Sequence, residues 1–75
     1  PVYIGLEKKH RGGKQVTVIR GVPKVKAEEI GRKLKTHCAT GGTVKNDGIE
    51  LQGDHRKKAA ALLGQYGLKI KFTGG

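Results

Sequence analysis

The sequence of 75 residues has no tryptophan, no methionine and a single cysteine, Cys38. One cysteine excludes an intramolecular disulfide, so packing alone must hold the fold; the usage suits a reducing cytosol. Aromatic residues number three, Tyr3, Tyr66 and Phe72. A base-stacking platform needs several exposed aromatics on a sheet, and Tyr66 and Phe72 fall at positions expected in the core, so recognition of splayed bases is not expected. No apolar run approaches the ~20 residues that cross a bilayer. The opening PVYIGLEKK lacks the basic-then-apolar layout of a secretory signal. A cytoplasmic location with no membrane partner is the expectation. There is no CxxC, no HExxH and no GxxxxGK[ST]; RGGKQ has glycines and a lysine without the spacing or the hydroxyl. His10, His37 and His55 lie in different segments, and His37 next to Cys38 does not have metal-ligand spacing. No nucleophile, base and orienting group come together. Neither an enzyme nor a metal or cofactor site is expected.

Acidic residues are also scarce: 6 Asp plus Glu face 16 Lys plus Arg, a net charge of +10. That imbalance calls for a polyanionic partner, nucleic acid first. The densest cluster is KKHRGGK, where four formal positive charges fall within seven residues that hold no carboxylate.

What is present reads as one domain over residues 1–75, expected to be a monomer. In VYIGLE, Val2, Ile4 and Leu6 alternate with Tyr3, Gly5 and Glu7, which is strand period. KQVTVIRG follows, β-branched throughout, with Val16 and Val18 on one face. The two form a hairpin whose tip carries Lys8, Lys9, His10, Arg11 and Lys14, with Gly12 and Gly13 supplying positive-φ positions. Residues 26–38 change period: Ala27, Ile30, Gly31, Leu34 and Cys38 share one helical face. Glu28 and Glu29 come early in that helix and Arg32, Lys33, Lys35 and His37 late, as its dipole prefers. ATGG breaks it. TVKNDGIELQG reads as a second hairpin around Asn46-Asp47-Gly48, with Val44, Ile49 and Leu51 inward. Asp54 is the expected N-cap of a second helix, HRKKAAALLGQYG, with Ala59, Leu62, Leu63 and Tyr66 on one face and Gly67 at C′. LKIKF is a last strand with Leu68, Ile70 and Phe72 inward. The order ββαββαβ predicts an α+β plait: one mixed sheet with both helices on one face.

The hairpin tip can reach phosphates while the sheet behind it stays rigid. Its glycines let backbone N–H groups approach an anion. Arg32, Lys33 and Lys35 add a basic stripe. Arg56, Lys57 and Lys58 crowd the start of the second helix, where the dipole disfavours cations. That cost points to another use for at least one of them, with Arg56 the candidate RNA contact.

Three stretches go beyond what spacing shows. GGKQVTVIRG (12–21), HCATGGTVK (37–45) and IELQGDHRKK (49–58) resemble the eukaryotic-type translation initiation factor 1 family, the SUI domain. The likeness runs over essentially the whole chain, most specifically at LQGD-x-R. The compact length and the ending KIKFTGG look more like the bacterial and archaeal branch. The family pattern also includes an N-terminal tail, which these residues do not contain. The resemblance implies an α-β plait that binds small-subunit ribosomal RNA near the decoding site and discriminates start codon and initiator tRNA alongside other initiation factors. It implies that Lys8 to Lys14 with Arg32, Lys33 and Lys35 face ribosomal RNA, and that Lys45, Asn46 and Asp47 lie toward initiator tRNA. Gly53 and Asp54 read as structural. A competing reading is a general RNA-binding or stress-related module on the same fold, without a role in start-codon choice.

Overall fold

The computed structural model describes residues 1–9 and 13–73. Strands β1 (Val2–Lys9) and β2 (Lys14–Arg20) are followed by a 3-10 turn (Lys24–Lys26) and α1 (Ala27–His37). Then come β3 (Gly42–Lys45), β4 (Gly48–Gln52), α2 (Arg56–Gly64) and β5 (Ile70–Phe72). The five strands form one sheet in the order β3-β4-β2-β1-β5. All neighbours are antiparallel except β1 and β5, which run parallel, so the sheet is mixed. This is the α+β, ββαββαβ arrangement that the periodicity predicts.

Register sets the core. Ile4, Ile19 and Ile49 lie abreast on β1, β2 and β4, and Leu6, Thr17 and Leu51 form the next row. Ile4, Ile19, Ile49 and Leu51 join Ile30, Leu34 and Cys38 of the α1 stripe and Ala59 and Leu63 of α2 in one buried cluster. α1 covers β3 and β4, α2 covers β1 and β5, and the helices pack on each other. Burying each such Ile or Leu side chain stabilises by about 1.5–3 kcal/mol. A chain this small with so few apolar residues depends on every one.

α1 ends where the residues dictate, by a route that the glycines of ATGG do not show. Ala39 takes φ 52°, and the Thr40 N–H donates to the Lys35 carbonyl at 3.0 Å, closing a Schellman-type cap on an alanine. Gly31 is needed for a different reason: a β-carbon there would run into Val44 of β3. Cys38 is buried at the helix end, and that burial pushes its thiol pKa up.

Val16 and Val18 share one face of β2, as expected; Thr17 and Ile19 on the other face turn inward, a choice that alternation cannot make when both faces are β-branched. Three local expectations change. Asp54 is not the N-cap, a place taken by His55 without a side-chain bond. α2 stops at Gly64, so Gly67, with φ 75°, lies beyond its end in a turn. Phe72, expected inward, is 58% exposed.

Candidate RNA interface

The basic hairpin closes on the pairs Lys8 with Gln15 and Lys9 with Lys14. Gly13 has φ 66° and open space where a β-carbon would stand, so the turn needs its conformation and not its small size. Lys8 and Lys14 are exposed. His10, Arg11, Gly12 and the Lys9 side chain lie outside the described residues.

The segment Gln52–His55 fastens the start of α2 beside this hairpin. The Gly53 N–H donates to the Gln15 carbonyl at 2.8 Å, two residues from the basic turn. Thr17 is wholly buried, yet its hydroxyl is fully used: it donates to the Gly53 carbonyl at 2.6 Å and accepts from the His55 N–H at 2.8 Å. A buried polar group so satisfied holds its partners in place. The His55 ring reaches the Gln52 carbonyl at 2.8 Å. Gly53 has φ 93°, a value that L side chains rarely adopt. On the other side, the Thr40 hydroxyl donates to the Gln52 carbonyl at 2.8 Å, which ties in the exit of α1. The Gln-Gly-Asp stretch is therefore structural, and its work is to bring three elements to one end of the sheet.

Lys8 and Lys14 of the hairpin, and Lys57 and Lys58 of the α2 start that the Gly53–Gln15 bond ties to β2, have no ion-pair partner among the described residues. Arg56 is already engaged. Its guanidinium meets both oxygens of Asp54 at 2.9 Å, and its backbone N–H points at the same carboxylate at 3.4 Å. Arg56 holds the Asp54 carboxyl below the usual carboxylate range, and Asp54 raises the pKa of Arg56 in return. The pair is exposed, so its stabilising effect is small.

The α1 trio does not form one stripe. Lys33 turns toward α2, its ammonium 5.6 Å from the centre of the Tyr66 ring, with Lys26 at 6.0 Å. The Tyr66 hydroxyl completes this contact with Glu29 at 3.3 Å. Lys35 is half-buried along Gly42 of β3, on the other flank, and Arg32 is exposed between them. The second hairpin loop stands apart altogether. Asn46 and Asp47 are exposed beyond the Lys45–Gly48 pair, and Gly48 abuts Ile19 and Arg20, at the opposite end of β2 from Lys14. Six residues of strand separate the two ends, roughly 20 Å. Lys45 is paired with Glu50 at 3.3 Å. Sequence reasoning missed the bonding of Thr17 to Gly53 and His55, because a lone Thr in a β-branched strand gives no signal, and it missed the exposure of Phe72.

The model of the family described as Translation initiation factor SUI1 matches residues 1–69. The chain belongs to the SUI1 translation initiation factor family. Its relatives include the protein translation factor SUI1 homolog of Picrophilus torridus, 54% identical over 96% of this chain and 75% of that protein. The SUI1 homolog of Methanococcus vannielii is 51% identical over 79% of this chain and 60% of its own length. An uncharacterized protein of the cyanobacterium Synechocystis is 40% identical over 99% of this chain and 68% of its own. The chain spans about six-tenths of the length of the Methanococcus homologs. SUI1 members are translation factors and not enzymes. Among the described residues no helix is long and apolar enough to cross a membrane.

Proposed function

We propose that residues 1–75 act as one monomeric domain that binds small-subunit ribosomal RNA near the decoding site, in the cytoplasm, and supports start-codon and initiator-tRNA discrimination. The observation that carries this reading is the anchoring at the hairpin end: Thr17, Gly53 and His55 tie the lysine-bearing start of α2 to β2 beside the basic hairpin of Lys8 and Lys14. A diffuse solubility charge would not need such an anchor. The Lys45–Asp47 loop, at the other end, is free to face a second ligand such as initiator tRNA while the basic end holds ribosomal RNA. Other initiation factors would share the same subunit surface. Sedimentation with purified small subunits, large subunits and free tRNA tests the binding; co-sedimentation with small subunits alone is expected, and equal recovery with all three contradicts it.

A second reading, general RNA binding without a start-codon role, is motivated by the bacterial source of one relative, the Synechocystis protein. Reporter translation from AUG and near-cognate codons, with and without the gene, separates the two. A change confined to near-cognate codons supports the first reading, and a uniform change supports the second.

A further inference from the structure

Beside the fastened segment lies a cleft of about 680 Å³ that the family reading does not use. Its walls are Asp54, His55 and the first turn of α2, Arg56 to Lys58, and its one aromatic lining residue is Phe72 at the end of β5. A volume of this size is within the range of small-ligand sites, roughly 300–1,000 Å³. We propose that this cleft seats one unstacked base of single-stranded RNA on the ring of Phe72, with the flanking phosphates held by Lys57 and Lys58. The proposal rests on the reading that the basic end binds RNA, and it adds a mode of recognition that phosphate contacts alone do not provide.

The argument begins with register. Phe72 pairs with Ile4, which is wholly buried, yet Phe72 itself is 58% exposed. The reason lies in the helix that should cover it. α2 begins beside it with Arg56, Lys57 and Lys58, and none of these lays an apolar side chain over the ring. The only phenylalanine of an aromatic-poor chain thus stands in a cleft rimmed by cations. The one carboxylate lining it among the described residues, Asp54, is taken up by Arg56. The net field of the rim is positive, and Lys57 and Lys58 sit where the helix dipole adds to it. A flat π-face next to unpaired ammonium groups matches a nucleotide, whose base stacks while its phosphates pair. An acidic peptide would use the lysines and leave the ring without a partner. A duplex keeps its bases stacked and would reach the lysines only.

The chain has no tryptophan, so Phe72→Trp installs a single tryptophan in the cleft, which can be excited apart from Tyr3 and Tyr66. Its emission is followed on titration with short oligoadenylate, an abasic ribose-phosphate strand of equal length, an RNA duplex and polyglutamate. Saturable quenching is expected with oligoadenylate alone. Phe72→Leu, at an exposed position that folding tolerates, should weaken oligoadenylate binding on the order of ten-fold and leave the duplex and abasic strands unchanged. A double Lys57→Ala, Lys58→Ala variant should weaken all three nucleic acids. If Phe72→Leu binds oligoadenylate as the unaltered protein does while duplex binding persists, the base site is wrong and the RNA reading stands. If no form of RNA binds, both fail. Stronger quenching by polyglutamate than by oligoadenylate would assign the cleft to an acidic protein segment and overturn the proposal.

Discussion

Thr17→Val is the sharpest perturbation of the device that builds the basic end. Threonine and valine have nearly the same shape, so the wholly buried site stays filled. The hydroxyl, however, makes two bonds, to the Gly53 carbonyl at 2.6 Å and from the His55 N–H at 2.8 Å. Each is worth about 0.5–1.5 kcal/mol net, and leaving a partly buried partner unpaired adds to the loss. The extra buried methyl returns about 0.8 kcal/mol. The balance is a destabilisation of about 1–3 kcal/mol. A domain of this size has a total of roughly 4–11 kcal/mol. A loss of 2 kcal/mol should lower Tm by roughly 8–16 °C. Denaturant unfolding measures the stability, and hydrogen exchange at the His55 amide locates it. Thr17→Ser keeps the hydroxyl and loses one methyl; it should cost about 1 kcal/mol with His55 still protected. If Thr17→Val stays within 0.5 kcal/mol of the unaltered protein and the His55 amide keeps its protection, Thr17 does not fasten α2 and the reasoning is wrong.

Three further outcomes follow from the same contacts. Leu34→Ala, at a fully buried point of the α1 stripe, should cost ~2–5 kcal/mol in denaturant unfolding, and a loss below ~0.5 kcal/mol would mean that α1 does not face the core. Ala39→Gly relieves a left-handed alanine at the end of α1 and should raise stability by up to about 1 kcal/mol; a drop in Tm would contradict the cap geometry. Arg56 lowers the pKa of Asp54 below its unfolded value, so the pair stabilises the fold above pH ~4, and that contribution fades as pH falls through the lower folded-state value. Asp54→Asn should therefore differ slightly from the unaltered protein at neutral pH and converge with it in acid, where persistent separation of the two curves would refute the linkage.

Much of this fold is legible in the residues because the helical period is unambiguous where one face is apolar. Ile30, Gly31, Leu34 and Cys38 are all buried as their spacing predicts. Ile49 and Leu51 are legible for the same reason, since Glu50 and Gln52 between them are polar. In β2 both faces are β-branched, and only pairing with Ile4 and Ile49 selects Ile19. Asp54 looks like a cap, but the chain at Gly53 is committed to bonding with Gln15 and Thr17, contacts across 36 or more residues that no local pattern records. Phe72 alternates correctly and is still exposed, because the covering helix starts with cations beside it. The candidate site is legible as charge and not as geometry. Composition finds the lysines, but it takes the bonds of Gly53 to Gln15 and His55 to Thr17 to show that the α2 start is tied to the hairpin strand, while Lys45 is paired with Glu50 at the other end.

The central claim is that position, not total charge, makes the interface. The measurement is a titration of small ribosomal subunits, at several salt concentrations, with two folded triple-alanine variants of equal charge. One removes Lys9, Arg11 and Lys14 of the hairpin; the other removes Arg20, Lys24 and Lys69, which belong to the opposite end, where Gly48 abuts Arg20 and the Lys69 carbonyl bonds to Val2. Affinity of the unaltered protein should fall steeply with salt, on the order of a thousandfold between about 50 and 200 mM for some six phosphate contacts. The hairpin variant should bind more weakly and lose up to roughly three units of salt slope, while the far-end variant stays close to the unaltered protein. Equal losses from both variants would contradict the account and leave the +10 charge acting only as a diffuse field.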